Sequence, residues 1–185
     1  MKNLNEYIKE GLFDDVDKLE GKNWLSNNVK LRKKEITDWI INNNNCHIYK
    51  TKLKFDFNTN PPTVNYGDDI IIKSNIQSLS NEIFQWGEVG GLFGCAHCNL
   101  ITSLKGAPTK IGGNFYCHNC KLLESLEGAP KEVNGSFVCS NCPSLKSLEG
   151  APEEVLKYFE CRNCGVQFTT NDVKKVSKVE GGIYC

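Results

Sequence analysis

The chain has 185 residues and carries 22 Lys and Arg against 22 Asp and Glu, so no large net field draws it to nucleic acid or to an anionic membrane. No run reaches the roughly 18 apolar residues that a membrane span needs, and the first residues lack the apolar core of a secretory signal, so a cytoplasmic protein is expected. Ten cysteines without an export signal argue against a disulfide scaffold, which leaves metal ligation, redox work or core packing.

Residues 1 to about 68 carry no repeat. Leu4, Ile8 and Leu12 follow helical spacing, continued by Val16 and Leu19, so an amphipathic helix fits the start of the chain. The opening Met1-Lys2-Asn3-Leu4-Asn5-Glu6-Tyr7-Ile8-Lys9-Glu10 also resembles the capsid-targeting leader of internal head proteins of T-even bacteriophages, a Met-Lys start followed by a Glu-aromatic-Ile-x-Glu core. That resemblance implies cutting by a prohead protease after Ile8-Lys9-Glu10, which leaves Gly11 as the new N-terminus.

A helix is expected from about Asn27 to Asn42, with Ile36, Trp39 and Ile40 on one face and Lys30, Arg32, Lys33 and Lys34 near its start. A basic cluster of this kind can touch phosphate, but Asp14, Asp15, Asp17 and Glu20 lie close enough to offset it. Nucleic-acid binding is therefore not the expected role. Leu53, Phe55 and Phe57 then alternate as a strand, and Pro61-Pro62 breaks the chain before Val64 and Tyr66. Residues 1–20 read as the leader-like segment and residues 21–68 as an α/β N-terminal cap, with Trp39 or Trp86 supplying its apolar contact.

From residue 69 the chain repeats itself. Ile70, Ile72, Asn75, Ile76 and Leu79 look like a degenerate first coil, with Asn75 near the place that later holds a cysteine. Cys95, Cys117, Cys139 and Cys161 are each 22 positions apart, and Cys98, Cys120, Cys142 and Cys164 keep the same step. Phe93, Phe115, Phe137 and Phe159 precede each pair; Ile101, Leu123 and Leu145, then Leu104, Leu126 and Leu148, follow it. Gly-Ala-Pro recurs from Gly106, Gly128 and Gly150, and Ile111, Val133 and Val155 close each unit. At the far end, Phe168, Val173, Val176 and Val179 suggest a short helix with Asp172 as its N-cap. Gly181-Gly182-Ile183-Tyr184-Cys185 then copies the stretch from Gly112 to Cys117 with one residue of slip.

The unit F-x-C-x-x-C-x-x-L-x-x-L-x-G-A-P-x-x-V resembles the leucine-rich repeat in its cysteine-bearing form. The fold expected is α/β: a leucine-rich-repeat solenoid of 22-residue coils over residues 69–185, with a parallel sheet on one face, behind the N-terminal cap. The last strand would be an edge that another chain can extend, so either the preceding helix shields it or the protein self-associates there.

Cys95, Cys98, Cys117 and Cys120 have the spacing of a four-cysteine zinc site, and Cys139, Cys142, Cys161 and Cys164 repeat it. Core packing explains more. The Phe and Leu columns are as regular as the cysteines, Cys185 fills the first position of a pair with no second member, and one rule covers all nine cysteines from Cys95 onward. No cofactor is expected, zinc being the alternative.

No catalytic constellation emerges: His47, His97 and His118 share no column, and there is no phosphate loop or paired nucleophile and base. The chain is read as a non-enzyme. Alternation turns Asn114, Tyr116 and His118 outward in one coil, Ser136, Val138 and Ser140 in the next, and Tyr158, Glu160 and Arg162 in the third. Tyr116, His118, Val138, Tyr158, Glu160, Arg162 and Tyr184 are the expected partner-binding residues, because Tyr and Arg anchor interfaces. Asn119, Asn141 and Asn163 form a further column suited to a turn.

The leader-like opening together with the Gly-Ala-Pro coils resembles repeat proteins encoded by tailed phages. That implies a protein packaged in the virion head or acting in the host cytoplasm, where it binds and inhibits or redirects a host protein, such as a defence factor. The rival readings are a zinc-stabilised nucleic-acid-binding module and a structural internal virion protein.

Overall fold

A computed structural model describes residues 20–44 and 52–185, with side chains from residue 29 onward in the first helix. Ile8, Glu10 and Gly11, the expected leader-cleavage residues, lie outside the described residues, as do Cys46 and His47. The chain forms two compact units, Met1–Trp39 and Ile40–Cys185.

Helix α1 (Glu20–Asn43) begins earlier than its apolar pattern predicts. Gly21 weakens a helix by only about 1 kcal/mol and no proline follows it, so nothing in the sequence stops the helix there. Two members of the basic cluster are neutralised along the helix itself: Arg32 pairs with Glu35 at 2.9 Å and Lys34 with Asp38 at 2.7 Å.

The second unit is the solenoid. Strands β3 (Ile70–Ile71), β5 (Phe93–Gly94), β7 (Phe115–Tyr116), β9 (Phe137–Val138), β11 (Phe159–Glu160) and β13 (Ile183–Tyr184) stack in parallel as one six-stranded sheet. The single sheet expected from the sequence has a companion. Strands β2 (Thr63–Tyr66), β4 (Gln85–Val89), β6 (Lys110–Ile111), β8 (Glu132–Val133), β10 (Glu154–Val155) and β12 (Lys178–Val179) form a second parallel ladder, with β1 (Leu53–Asp56) antiparallel on β2. Each of these later strands holds two residues, too few to show alternation in a sequence. Because β2 pairs with β4 in parallel, the repeating sheet starts before residue 69. Trp86 belongs to the solenoid as well, packed edge-on between Phe84 at 4.9 Å and Phe93 at 6.2 Å.

The core consists of the columns read from the sequence. Phe93, Phe115, Phe137 and Phe159 are fully buried; the first three stack at 5.6 and 5.4 Å between ring centroids, and Phe159 lies tilted on Phe137 at 5.0 Å. Ile101, Leu123, Leu145, Leu104, Leu126 and Leu148 are buried behind them. Coils can stack this closely only because Gly128 and Gly150 take φ of +87° and +83°, where a side chain is strained. A Cβ on Gly128 would also meet Lys105 Cα of the preceding coil at 2.5 Å.

The ends differ from the middle in identifiable ways. At the first rung, Ile71 N–H donates to Asn44 Oδ1 at 2.7 Å and Lys73 N–H to the Asn43 carbonyl at 3.0 Å, so the exposed edge of β3 is satisfied by the chain that leaves α1. Asn75, expected at a cysteine's place, is exposed. At the last rung, helix α2 (Thr170–Val176) is capped by Thr169, not by Asp172. Asp172 instead sits at the third helical position and returns a bond to Thr169 N at 3.0 Å, a reciprocal pair that satisfies two free N–H groups.

Candidate functional site

The cysteines face inward. Cys95, Cys98, Cys117, Cys120, Cys139, Cys142 and Cys161 are buried and Cys164 is half-buried. The second thiol of each pair donates across a coil: Cys120 Sγ reaches the Cys95 carbonyl at 3.2 Å, Cys142 Sγ the Cys117 carbonyl at 3.3 Å, and Cys164 Sγ the Cys139 carbonyl at 3.3 Å. Cys98 does the same to the Lys73 carbonyl at 3.6 Å. A buried carbonyl needs such a partner, and a zinc-bound thiolate has no proton to give it.

Burial pushes the thiols of Cys95, Cys117 and Cys139 well above their ordinary range, with neighbouring thiols adding to the effect. It raises Cys98 and Cys164 to about 11. At neutral pH these groups stay protonated, which suits hydrogen-bond donation and opposes nucleophilic attack. Among the described residues, no three His, Cys, Asp or Glu side chains gather as a metal-binding group.

Between the two cysteines of each pair the chain turns through a left-handed residue: His97, Asn119, Asn141 and Asn163 have φ of 59°, 58°, 58° and 53°. Asn tolerates this conformation better than most side chains, which is the reason for its column. The column also bonds along itself, with Asn163 Nδ2 donating to Asn141 Oδ1 at 3.1 Å.

The outer face of the six-stranded sheet carries the residues singled out for binding, in two clusters. The first is Tyr116, His118 and His97: the Tyr116 and His118 rings meet edge-on at 5.7 Å, and so do His118 and His97. Asn114 fixes Tyr116 by donating from Nδ2 to its hydroxyl at 2.8 Å, while Asn114 Oδ1 accepts from Ser136 N–H at 2.8 Å. Partial burial lowers the His118 imidazole pKa, and the adjacent His97 lowers it further. The second cluster is Tyr158, Tyr184 and Arg162, where Tyr158 and Tyr184 meet edge-on at 5.6 Å and the Arg162 guanidinium lies 5.0 Å above the Tyr184 ring.

Val138 does not stand out from this face as expected. It is 7 % exposed, and Ser136 and Ser140 beside it are buried too. The parallel register sets Val138 between Tyr116 on one side and Glu160 on the other, and the longer side chains of those coils overtop it. Ser140 contributes by donating its hydroxyl to Glu160 Oε1 at 3.4 Å. The face is therefore a low saddle at β9 between two aromatic ridges.

The later rungs of the second sheet, from β6 to β12, carry charge in place of aromatics. Lys110 pairs with Glu132 across the ladder, Lys178 with Glu154 at 2.7 Å, and Lys131 with Glu153 at 3.4 Å. These cross-coil pairs were not singled out in the sequence, although the 22-residue spacing of Lys110 and Glu132 and of Lys131 and Glu153 is visible there; Glu154 and Lys178 are 24 apart, across the coil that holds α2. Exposed as they are, they help set register more than they stabilise.

No described helix is long and apolar enough to cross a membrane. Compared with protein-family models, with curated proteins and with solved structures, the chain matches none.

Proposed function

We propose that this protein is a non-enzymatic binding module that captures another protein on the outer face of its six-stranded sheet. The observation that carries this reading is the saddle: Tyr116 and His118 on one ridge, Tyr158, Tyr184 and Arg162 on the other, with Val138 as its floor. Aromatic and Arg side chains held in place by their neighbours lose little freedom on binding, which makes them effective anchors. Glu160 would set orientation by charge at the rim.

The resemblance of the opening residues to a phage head leader supports a viral origin. On that reading the module is packaged or made during infection and binds a host protein in the host cytoplasm, inhibiting or redirecting it. Affinity capture from host lysate, followed by mass spectrometry, tests the binding role. The same bait with Tyr116→Ala and Tyr158→Ala should lose the captured protein. N-terminal sequencing of virion protein tests the leader: a start at Gly11 supports it, and a start at Met1 contradicts it.

A further inference from the structure

One pair of thiols breaks the rule that the others follow. Along the first-cysteine column, Cys117 Sγ lies 3.5 Å from the Val138 carbonyl and Cys139 Sγ 3.5 Å from the Glu160 carbonyl, each bonded to the strand ahead. Cys161 Sγ instead meets another sulfur, that of Cys185, at 3.5 Å. The backbones hold the pair in register, since Cys161 N–H donates to the Tyr184 carbonyl at 2.8 Å on the adjoining parallel strand. Neighbouring residues of paired strands lie within the Cα separation that a disulfide spans.

Access distinguishes the pair as well. Cys185 is exposed, whereas Cys161 is buried, so an oxidant reaches one thiol first and the other waits beneath it. Both line an open cleft together with Arg162 and Cys164. The Arg162 guanidinium lines the same cleft, and its positive charge attracts an anionic small disulfide.

We infer that Cys161 and Cys185 form a reversible disulfide that staples β13 to β11 when the protein meets a small-molecule disulfide such as oxidised glutathione. The Cys185 thiolate attacks one sulfur of the oxidant, its S–S bond breaks, and one reduced thiol leaves with the proton that Cys185 gave up. Cys161, held 3.5 Å away, then loses its proton to solvent, a step its burial makes the slow one, and attacks the Cys185 sulfur, and the second small thiol leaves and is protonated. Two protein thiols are oxidised and one small disulfide is reduced to two thiols. The staple closes the coil that contains α2, so the Tyr158–Tyr184–Arg162 ridge is held on a fixed terminal rung.

The test is to titrate the full chain with mixtures of reduced and oxidised glutathione, trap free thiols by alkylation, and map cross-linked peptides by mass spectrometry. The expected result is a Cys161–Cys185 peptide lacking two hydrogens, formed without change in the seven other cysteines of the coils and reversed by dithiothreitol. Cys161→Ser should leave Cys185 stalled as the glutathione adduct, and Cys185→Ser should leave Cys161 unmodified under the same conditions. A lasting Cys185 adduct in the unaltered chain, a Cys185 link between two chains, or a link from Cys185 to Cys164 would each overturn the assignment.

Discussion

The Cys120 thiol gives its hydrogen to the Cys95 carbonyl, 3.2 Å away and one coil back, and this bond repeats from Cys142 to Cys117 and from Cys164 to Cys139. A pair that reads as half a zinc site is thus accounted for as one rung of a ladder. Replacing Cys120 with Val keeps the volume but leaves the buried Cys95 carbonyl with only the longer bond from Cys98 N–H at 3.4 Å, at a cost of about 1 kcal/mol. Cys120→Ser retains a donor and should lose less. Urea unfolding of the two variants measures the difference, and a Val variant as stable as the Ser variant would contradict the ladder.

The same geometry predicts how the protein treats metal. Protein purified without chelator should hold no stoichiometric zinc, and chelator should leave its melting temperature unchanged. Elemental analysis checks this directly. One or two bound zinc ions per chain, lost together with the fold on chelation, would return Cys95, Cys98, Cys117 and Cys120 to the role of ligands.

Gly128 has φ of +87° and no room for a Cβ beside Lys105. Gly128→Ala therefore combines strain with a clash and should destabilise by more than about 2 kcal/mol. Gly67, around which nothing lies within 4 Å of a Cβ position and whose φ is not in the left-handed region, is the matched control. Gly67→Ala should change stability little in the same thermal or urea unfolding series.

His118 contributes a pH dependence of known sign. Its folded imidazole titrates below the ordinary 6.5, chiefly because partial burial disfavours the charged form, so the unfolded chain takes up a proton first as the solution is acidified. Stability from this residue is complete above pH 6.5 and falls as the pH drops from there through the folded value. Urea titrations at several pH values should show that slope, and His118→Ser should reduce it. An unchanged slope in the variant would place the titrating group elsewhere.

Much of this was legible in the sequence because the 22-residue step ties each side chain to its copies. The Phe stack, the Leu columns and the inward cysteines follow from one register, and so does the degenerate coil at Ile70. What escaped had a physical cause. The second sheet is built of pairs such as Glu132–Val133, and two residues cannot display a period of two. Val138 alternates outward as predicted but is small beside Tyr116 and Glu160, so exposure depended on neighbours 22 residues away and not on its own strand. The cap of α2 fell on Thr169, although Asp172 is as good a capping residue, because the reciprocal bond between them satisfies two N–H groups where a single cap satisfies one.

The most direct test of the proposed binding role compares three baits in one quantitative capture from host lysate: the unaltered chain, the Tyr116→Ala and Tyr158→Ala double variant, and Lys131→Ala beside the second sheet. Circular dichroism first establishes that all three are equally folded. A protein enriched by the unaltered chain and by Lys131→Ala, and lost from the double variant, is the predicted result. Equal enrichment by the double variant would contradict recognition through the strand face.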